Sequence, residues 1–274
     1  MKKILSPRTK KWLLPLVLGY CLLGLGFYGL QDFFLLHPTP LADGESWGPA
    51  PPHTVFTMVM DADTHIEVAD FRPADTSLEK GLVLYFHGNR QHIGHYADRV
   101  PALTQAGFRV WMMDYPGFGH STGKFSEPLV NNIALQLYKR ARVFYAPQNI
   151  VLFGRSLGTG IAAQLAAKRD CRSLVLETPY PDIASLFRPW FSIYPLHRML
   201  HFQFPTKAYL PQVTAPILIV HGESDGVIPL SKAEQLRPLL KAQDQFVVIP
   251  GGSHNDLPQF PLYQKAIKKF LGAR

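Results

Sequence analysis

The sequence predicts an α/β sandwich, in which a mostly parallel central sheet is covered by helices on both faces. Short apolar runs alternate with helical stretches from residue 81 onward, the pattern expected of right-handed crossovers between parallel strands. Most of these runs are almost continuously apolar, which is typical of strands buried on both faces. The chain has 274 residues and 47% hydrophobic content, enough for one large core.

The chain begins with a basic segment that leads into a long apolar run. No charged residue occurs between residues 12 and 30, and residues 33–36 continue the apolar character, so the run is long enough to span a bilayer. We predict a transmembrane anchor within residues 1–37. A cleavable signal peptide is the alternative, although no good small-x-small cleavage site follows the run.

The distribution of charge predicts the orientation of this anchor. Lys and Arg lie almost entirely on its N-terminal side, so the positive-inside rule predicts a single-pass protein with a cytoplasmic N-terminus and an extracytoplasmic folded domain. Cleavage would instead give a secreted or periplasmic protein. Residues 38–53 are rich in Pro and Gly and are predicted to form a linker, with the folded domain over residues 54–274.

The elements of this domain follow from the apolar pattern. Two strand-like runs at 54–60 and 64–71 predict an antiparallel hairpin at a sheet edge. Further strands are predicted at 81–86, 108–114, 149–153, 173–177, 216–220 and 245–249. Helices are predicted at 93–106, 127–145, 159–168, 230–242 and 258–271.

The regular alternation stops between about residues 179 and 210. This segment is rich in aromatic residues and is interrupted by prolines, so we predict a short helical lid rather than a simple connection. Trp190 and Phe191 are candidates for the wall of an apolar acyl pocket. The alternative role of these aromatic residues is to pack the lid onto the domain.

The main chemical signal is Gly154-Arg155-Ser156-Leu157-Gly158, which fits the pattern G-x-S-x-G between a predicted strand and a predicted helix. A tight turn at this position strains the backbone of the serine and lifts its hydroxyl clear of the sheet. The pattern alone also occurs by chance in roughly one in ten chains of this length. Its position between strand and helix therefore carries the prediction that Ser156 is a nucleophile.

A serine nucleophile needs an imidazole to accept its proton and a carboxylate to orient that imidazole. Ligands of open α/β sheets bind at the carboxyl ends of the strands, so these partners should lie in loops that follow later strands. Asp225 and His254 lie in such loops, in the chain order Ser, Asp, His. Glu177 and Glu223 are the alternative acids.

Acyl transfer also needs hydrogen-bond donors for the oxyanion that develops on the substrate. The N–H of Leu157, directly after the nucleophile, is one candidate. The N–H of Asn89 is the second, because Gly88 permits a sharp turn after the strand at 81–86. The alternative for His87-Gly88-Asn89 is an ordinary tight turn.

Composition argues against several other functions. The net charge of +8 is concentrated in residues 1–11, which hold five Lys and Arg, and the scattered remainder predicts no nucleic-acid-binding surface. The two cysteines, Cys21 and Cys171, predict neither a disulfide framework nor a metal site. We therefore predict no metal and no organic cofactor.

Taken in order, the motifs resemble those of the α/β-hydrolase superfamily. The blocks His87-Gly88-Asn89, 114–119, 154–158, 221–225 and Gly252-Ser253-His254 resemble its membrane-anchored single-pass hydrolases, which are described as serine peptidase-like, lysophospholipase-like or depalmitoylase-like. The resemblance covers roughly residues 54–272. It implies an α/β-hydrolase sandwich and a serine hydrolase with this triad, and it indicates the substrate less well than the fold. We predict a membrane-tethered serine hydrolase that cleaves an acyl ester or thioester, with an active site that the anchor brings within reach of lipid or acylated protein.

Two other functions fit the same motifs. A serine peptidase would use the same three residues, and a hydrolase-fold binding protein would use none of them. The presence of Ser156, Asp225 and His254 together argues against the binding protein, which has no need to retain all three.

Overall fold

The computed structural model describes residues 7–272. The strands of this part of the chain are β1 His37–Pro38, β2 His53–Val59, β3 His65–Phe71, β4 Gly81–Phe86, β5 Arg90–Gln91, β6 Phe108–Met113, β7 Ile150–Arg155, β8 Ser173–Glu177, β9 Ile217–Gly222 and β10 Gln245–Ile249. The α-helices are α1 Pro7–Leu35, α2 Ile93–Tyr96, α3 Val100–Gln105, α4 Glu127–Ala141, α5 Leu157–Lys168, α6 Ile183–Phe191, α7 Leu196–Met199, α8 Thr206–Tyr209, α9 Leu230–Glu234 and α10 Pro261–Gly272.

Eight strands form the central sheet, in the order β10-β9-β8-β7-β4-β6-β3-β2. The six strands from β10 to β6 are parallel to their neighbours, and β3 and β2 continue the sheet as an antiparallel edge. The predicted fold class and the predicted edge hairpin are therefore confirmed. Strand β7, which ends at the G-x-S-x-G turn, lies near the centre between β4 and β8.

The core lies on both faces of this sheet because successive side chains of a strand point to opposite faces. Leu84 and Leu152 belong to the apolar cluster that includes α4 and α5. Val83 and Phe153 belong to the cluster on the other face, which includes α3 and α10. Every residue of β4, β7 and β9 is buried, as their continuous apolar runs predict.

Two predicted helices are broken where the sequence contains proline. The stretch predicted as a helix at 93–106 forms α2, a 3-10 turn and α3, with Pro101 in the first turn of α3. The helix predicted at 230–242 ends at Glu234 and is followed by a 3-10 turn that contains Pro238. Proline lacks an N–H and clashes with the preceding helical turn, so it starts a new helix or ends an old one.

The segment predicted as a lid contains α6, α7 and α8 and covers the carboxyl end of the sheet near Ser156. Helix α6 begins after Asp182, whose carboxylate accepts a hydrogen bond from the N–H of Ser185 at 2.7 Å. Such a side-chain acceptor satisfies one of the N–H groups that a helix start leaves unpaired. This cap fixes the start of the first helix of the lid.

Helix α1 contains the apolar run that the sequence analysis predicts to be an anchor. Residues Leu13–Leu35 form 23 continuous helical residues that are long and apolar enough to cross a membrane. At about 1.5 Å per residue this stretch is roughly 35 Å long, compared with about 30 Å for the hydrocarbon core of a bilayer. Most side chains of Leu13–Leu35 are not covered by the rest of the protein.

The segment after α1 follows the surface of the domain. Strand β1 pairs with β5, with His37 opposite Arg90. Further on, the N–H of Leu41 donates to the carbonyl of Gly119 at 2.9 Å, and the indole of Trp47 donates to Glu67 at 3.0 Å. These bonds hold the end of α1 close to the loop that follows β4.

Candidate active site

Ser156 lies on a sharp turn between β7 and α5. Its backbone has φ 50° and ψ −117°, a conformation that side-chain-bearing residues seldom adopt. The turn is possible because its flanking residues are small. A Cβ atom on Gly158 would lie 2.0 Å from the carbonyl oxygen of Phe86, and one on Gly154 would lie 2.4 Å from the carbonyl oxygen of Gly158.

The structure brings Ser156, His254 and Asp225 together. His254 Nε2 lies 3.1 Å from the hydroxyl oxygen of Ser156, and His254 Nδ1 lies 2.7 Å from Asp225 Oδ2. All three residues are less than a tenth exposed. Asp225 follows β9 and His254 follows β10, so both loops leave the carboxyl edge of the sheet, where β7 also ends. This is the arrangement in which an imidazole can accept a proton from a serine hydroxyl.

Asp225 is held as an anion in this position. Its Oδ1 atom accepts hydrogen bonds from the N–H groups of Val227 and Ile228, both at 2.8 Å. Burial alone would raise the pKa of Asp225, but its hydrogen bonds and the nearby His254 outweigh burial and lower that pKa. The carboxylate therefore keeps a fixed orientation and a negative charge opposite His254 Nδ1.

The two alternative acids have other partners. Glu223 accepts a hydrogen bond from the N–H of Gly251 at 3.1 Å. Glu177 is fully buried and contacts Arg155, Arg99 and Tyr263 rather than His254. Of the three acids considered from the sequence, Asp225 is the one in contact with His254.

Glu177 belongs to a buried polar network that sequence reasoning missed. Its Oε1 atom lies 3.0 Å from both Arg155 Nε and Arg99 Nη1, and the hydroxyl of Tyr263 donates to its Oε2 at 2.6 Å. Burial alone would raise the pKa of Glu177, but the two guanidinium groups outweigh burial and lower it. The available signal is Arg155, a charged residue two positions after a predicted buried strand.

The same network reaches the loop that carries His254. Arg155 Nη2 donates to the carbonyl of His254 at 2.9 Å and to Oδ1 of Asn255 at 2.7 Å. Arg99 Nη2 donates to the carbonyl of Asn255 at 2.7 Å. Arg155 directly precedes Ser156, so one side chain connects the backbone of the nucleophile turn to the backbone of the histidine loop.

The other histidines near the sheet edge have structural contacts. The ring of His87 is fully buried, stacks on Tyr96 and lies 3.2 Å from Asp114. His221 is also fully buried, and its Nε2 lies 2.8 Å from the carbonyl of Ile228. Burial lowers the pKa of His221, and because the carbonyl oxygen of Ile228 can only accept, the ring donates that hydrogen bond. It thereby supports the loop that presents Asp225.

The two candidate oxyanion donors lie beside Ser156. Leu157 occupies the first position of α5, where a helix leaves its N–H without an internal acceptor. Asn89 follows Gly88 in the segment after β4, and both Leu157 and Asn89 line the same cleft as Ser156. Only the backbone N–H of Asn89 is a candidate donor, because the amide of its side chain already donates to the carbonyl of Leu35 at 2.6 Å.

A cleft of about 210 Å³ opens at the hydroxyl of Ser156. Most of its walls are apolar, and they come from the lid, from the loop after Asp225 and from the end of α1. Its lining residues include Phe34, Leu35, Tyr180, Ile183, Leu186, Phe187, Trp190, Val227, Ile228 and Lys232. Larger clefts of about 420 and 770 Å³ lie elsewhere, and none of Ser156, Asp225 and His254 lines them.

Of the two lid residues proposed from the sequence as pocket walls, the structure places one in the cleft and the other outside it. Trp190 lines the cleft and is 76% exposed. Phe191 does not reach the cleft; its ring stacks on Phe27 of α1 with the ring centres 4.2 Å apart. The sequence shows two adjacent aromatic residues, but successive residues of a helix point in directions about 100° apart.

Within residues 7–272, no group of three or more His, Cys, Asp or Glu side chains is arranged to hold a metal ion. Both cysteines are free thiols, with Cys21 exposed on α1. Burial raises the pKa of Cys171 to about 12. A thiol with so high a pKa is a poor nucleophile at neutral pH.

Comparison with known proteins identifies the family. Residues 78–210 match the family model described as serine aminopeptidase, S33. An uncharacterized protein of Mycobacterium tuberculosis is 32% identical over 193 residues, which is 69% of this chain and 69% of that protein. The alpha/beta hydrolase domain-containing protein 17C of Xenopus tropicalis is 30% identical over 200 residues, 69% of this chain and 61% of that protein.

The fold is also found among solved structures. An esterase from Pyrococcus furiosus superposes with a TM-score of 0.65 at 14% identity, covering 87% of this chain and 97% of that one. At this identity the likeness concerns the fold alone. Together with the two sequence relatives and the matched family model, it shows that the chain belongs to the α/β-hydrolase superfamily and is a hydrolase of that fold.

Proposed function

We propose that this protein is a serine hydrolase that cleaves acyl esters or thioesters through an acyl-enzyme on Ser156. The observation that carries the proposal is the continuous contact from Ser156 through His254 to Asp225, with distances of 3.1 and 2.7 Å. A strained serine, a neighbouring imidazole and an ionised carboxylate are the groups that activate a hydroxyl nucleophile.

The geometry supports a two-step reaction. In the first step, the Ser156 oxygen attacks the carbonyl carbon of the substrate while His254 Nε2 takes its proton. The oxyanion then lies between the N–H groups of Leu157 and Asn89. When the intermediate collapses, the bond to the leaving oxygen or sulfur breaks, His254 returns the proton to that atom, and the acyl group remains on Ser156.

The second step repeats this sequence with water. His254 accepts a proton from the water, whose oxygen attacks the acyl carbon. When this second intermediate collapses, the bond to the Ser156 oxygen breaks, His254 returns the proton to that oxygen, and the carboxylic acid is released. Asp225 stays ionised throughout, because its role is to hold the imidazole in one tautomer and to stabilise the imidazolium.

The lining of the cleft favours an acyl group as the part of the substrate that is recognised. Apolar side chains form most of its walls, and Lys232 is the one charged residue among the described residues that line it. The solved esterase of the same fold supports this class. Burying each methylene of an acyl chain in such a cleft stabilises binding by about 0.8 kcal/mol.

The second candidate is a peptidase, favoured by the description of the matched family model as serine aminopeptidase. An aminopeptidase binds the free α-ammonium group of its substrate, for which a carboxylate is the usual partner. The charged residue that lines the cleft is instead the cation Lys232. The ester hypothesis is therefore the better supported of the two.

We further propose that α1 holds the enzyme in a membrane. Most of the Leu13–Leu35 side chains, including Leu22, Leu23 and Leu25, are exposed apolar groups. An exposed apolar surface of this size is unfavourable in water, and the hydrocarbon core of a bilayer removes it from water. The distribution of Lys and Arg supports a cytoplasmic N-terminus and an extracytoplasmic catalytic domain.

A substrate panel tests the proposed reaction. The full chain in detergent micelles is assayed with p-nitrophenyl esters, an acyl thioester and aminoacyl p-nitroanilides. We expect turnover of esters and thioesters, complete loss in Ser156→Ala, and full activity in Ser192→Ala, which removes an exposed serine of the lid. Turnover of the anilides alone would favour the peptidase, and ester turnover that survives Ser156→Ala would contradict the mechanism.

A further inference from the structure

One face of α1 is packed against the lid although the rest of the helix is exposed. Gly24, Phe27, Gln31 and Leu35 are buried and recur every three or four residues, as one side of a helix does. Phe27 stacks on Phe191 of α6. A Cβ atom on Gly24 would lie 2.7 Å from the ring of Tyr194, so the helix and the lid approach closely here.

Gln31 fixes the position of this contact. Its side chain is 0% exposed within an otherwise apolar helix face. Its amide nitrogen donates to the carbonyl of Met199 at 3.0 Å, and its amide oxygen accepts from the N–H of His201 at 2.7 Å. A buried amide is costly to leave unpaired, so these bonds strongly favour one register between helix and lid over neighbouring registers.

The residue after Gln31 adds a polar contact to the same segment of the lid. The carboxylate of Asp32 lies 2.8 Å from Nδ1 of His201. Nearer the start of the helix, the hydroxyl of Tyr194 donates to the carbonyl of Tyr20 at 2.7 Å, and the two rings stack with their centres 4.5 Å apart. The helix is therefore in contact with the lid over about four turns.

This docked position places the end of α1 at the cleft. Phe34 and Leu35 line the cleft together with Ser156. The carbonyl of Leu35 accepts the hydrogen bond from the side chain of Asn89, and the N–H of His37 donates to the carbonyl of Asn89 at 2.9 Å. The end of the helix is thus tied to the loop that follows β4.

From these contacts we propose that the end of α1 forms one wall of the site that binds the acyl chain of the substrate. Phe34 and Leu35 are specificity-determining residues for acyl length, and Gln31 is the positioning residue that holds them in place. This inference rests on the proposed esterase function. The end of the apolar helix is consequently part of the substrate site, and because the lid is docked on the same stretch that is proposed as an anchor, the lid lies at and partly within the membrane that α1 enters.

The surroundings of the cleft indicate the direction from which the acyl chain arrives. Phe34 and Trp190 line the cleft and are exposed apolar residues. They continue the exposed apolar surface of α1, so an acyl chain dissolved in the same hydrocarbon as the helix reaches Ser156 without crossing water. The substrate class is an ester or thioester whose acyl chain lies in a membrane or micelle.

The test compares two adjacent phenylalanines of α1 in the full chain in detergent micelles. Phe34 lines the cleft, whereas Phe33 is exposed and does not line it. For p-nitrophenyl octanoate we expect Phe34→Ser to lower kcat/KM by about tenfold, the equivalent of losing between one and two buried methylenes at about fourfold each. Acetate hydrolysis and fluorophosphonate labelling of Ser156 should stay within about twofold of wild type, and Phe33→Ser should match wild type for both esters.

Gln31→Leu tests the positioning role with a side chain of similar size. We expect KM for the octanoate to rise by several-fold with a smaller change in kcat, because the wall is displaced while Ser156, His254 and Asp225 stay in place. Equal losses on acetate and octanoate would show a general structural role and would overturn the assignment of Gln31. The matched variant Gln136→Leu, at a half-buried position of α4 that does not line the cleft, should leave both esters unaffected.

Failure of this inference can be told apart from failure of the proposed function. If Ser156 is labelled and esters are hydrolysed, but Phe34→Ser has the chain-length profile of wild type, then α1 is not part of the acyl site. An equal loss in Phe33→Ser would lead to the same conclusion. If the wild-type protein hydrolyses no ester, the proposed function fails first, and the acyl site fails with it.

Discussion

Ser156, Asp225 and His254 lie in buried loops at the carboxyl end of the central sheet, whereas the walls of the cleft beside them come from segments at the surface. Ser156, Asp225 and His254 follow β7, β9 and β10, and each is less than a tenth exposed. The cleft is lined by Trp190, which is 76% exposed, and by the end of α1. In the proposed enzyme, the first region sets the reaction and the second sets the substrate.

The same difference appears in how each region is held. Buried hydrogen bonds and ion pairs surround the catalytic loops, including those of Arg155 to Glu177 and to the backbone of His254. The cleft is held mainly by aromatic contacts, such as Phe27 on Phe191, and by the single buried amide of Gln31. Changes in the first region should therefore alter kcat or stability, and changes in the second should alter selectivity.

The largest effect is expected from Asp225→Asn. The asparagine oxygen can keep the bonds from Val227 and Ile228, which leaves its NH₂ group facing His254 Nδ1 and favours the wrong tautomer. We expect kcat to fall by about 10⁴-fold with the fold retained, as when other triads lose this carboxylate. The measurement is ester turnover, with circular dichroism as the check on folding.

Glu177→Gln is the matched control, because it neutralises a second buried carboxylate near the site. It should lower the free energy of unfolding by about 3–5 kcal/mol, since it leaves two guanidinium groups without their anion, but it should reduce kcat far less than Asp225→Asn does. The opposite ranking of the two variants in kcat would assign the acid to Glu177.

The pH dependence of stability should also distinguish Glu177. Because its pKa is lower in the folded protein than its ordinary value of 4.5, its ionised form stabilises the native state. This contribution is complete above about pH 5 and is lost as the pH falls through the folded pKa. Thermal unfolding between pH 7 and pH 3 should therefore show a smaller acid loss in Glu177→Gln than in wild type. Parallel curves would mean that the ion pairs contribute nothing to stability.

The smallest effect is expected at the surface wall of the cleft. In wild type, kcat/KM should rise about fourfold for each methylene of a p-nitrophenyl ester until the cleft is full. Trp190→Ser should lower kcat/KM for the longest esters by a few-fold relative to that for the acetate. The effect is small because Trp190 lines the cleft but is largely exposed. Ile193→Ser is the control, since Ile193 is 71% exposed in the same lid and does not line the cleft. Equal profiles for Trp190→Ser and wild type would assign the tryptophan to lid packing.

Short sequence patterns were sufficient to predict the buried strands and the turn that carries Ser156. The strands at 81–86 and 173–177 have the predicted bounds because both are short apolar runs bordered by turn residues. The G-x-S-x-G turn is located where its glycines permit close approach of β4 and α5. The helices predicted at 93–106 and 230–242 are shorter in the structure, because prolines inside both stretches interrupt the helical hydrogen bonding.

Contacts between distant parts of the chain could not be predicted in this way. Arg155 and Glu177 meet because they are opposite each other in the register of β7 and β8, which the two segments do not reveal separately. Gln31 lies 170 residues from its partner His201, and in the sequence it only interrupts an apolar run. Partners of buried polar groups depend on the packing of the whole chain, so these residues became visible only in three dimensions.

The most direct test of the account is the chemical identification of the nucleophile. The full chain in detergent micelles is treated with a fluorophosphonate, digested and mapped by mass spectrometry, with Ser156→Ala and Ser192→Ala in parallel. We expect one phosphonylated serine, Ser156, with no adduct in Ser156→Ala and normal labelling in Ser192→Ala. An adduct on another serine, or labelling that persists in Ser156→Ala, would contradict the assignment of Ser156 as the nucleophile.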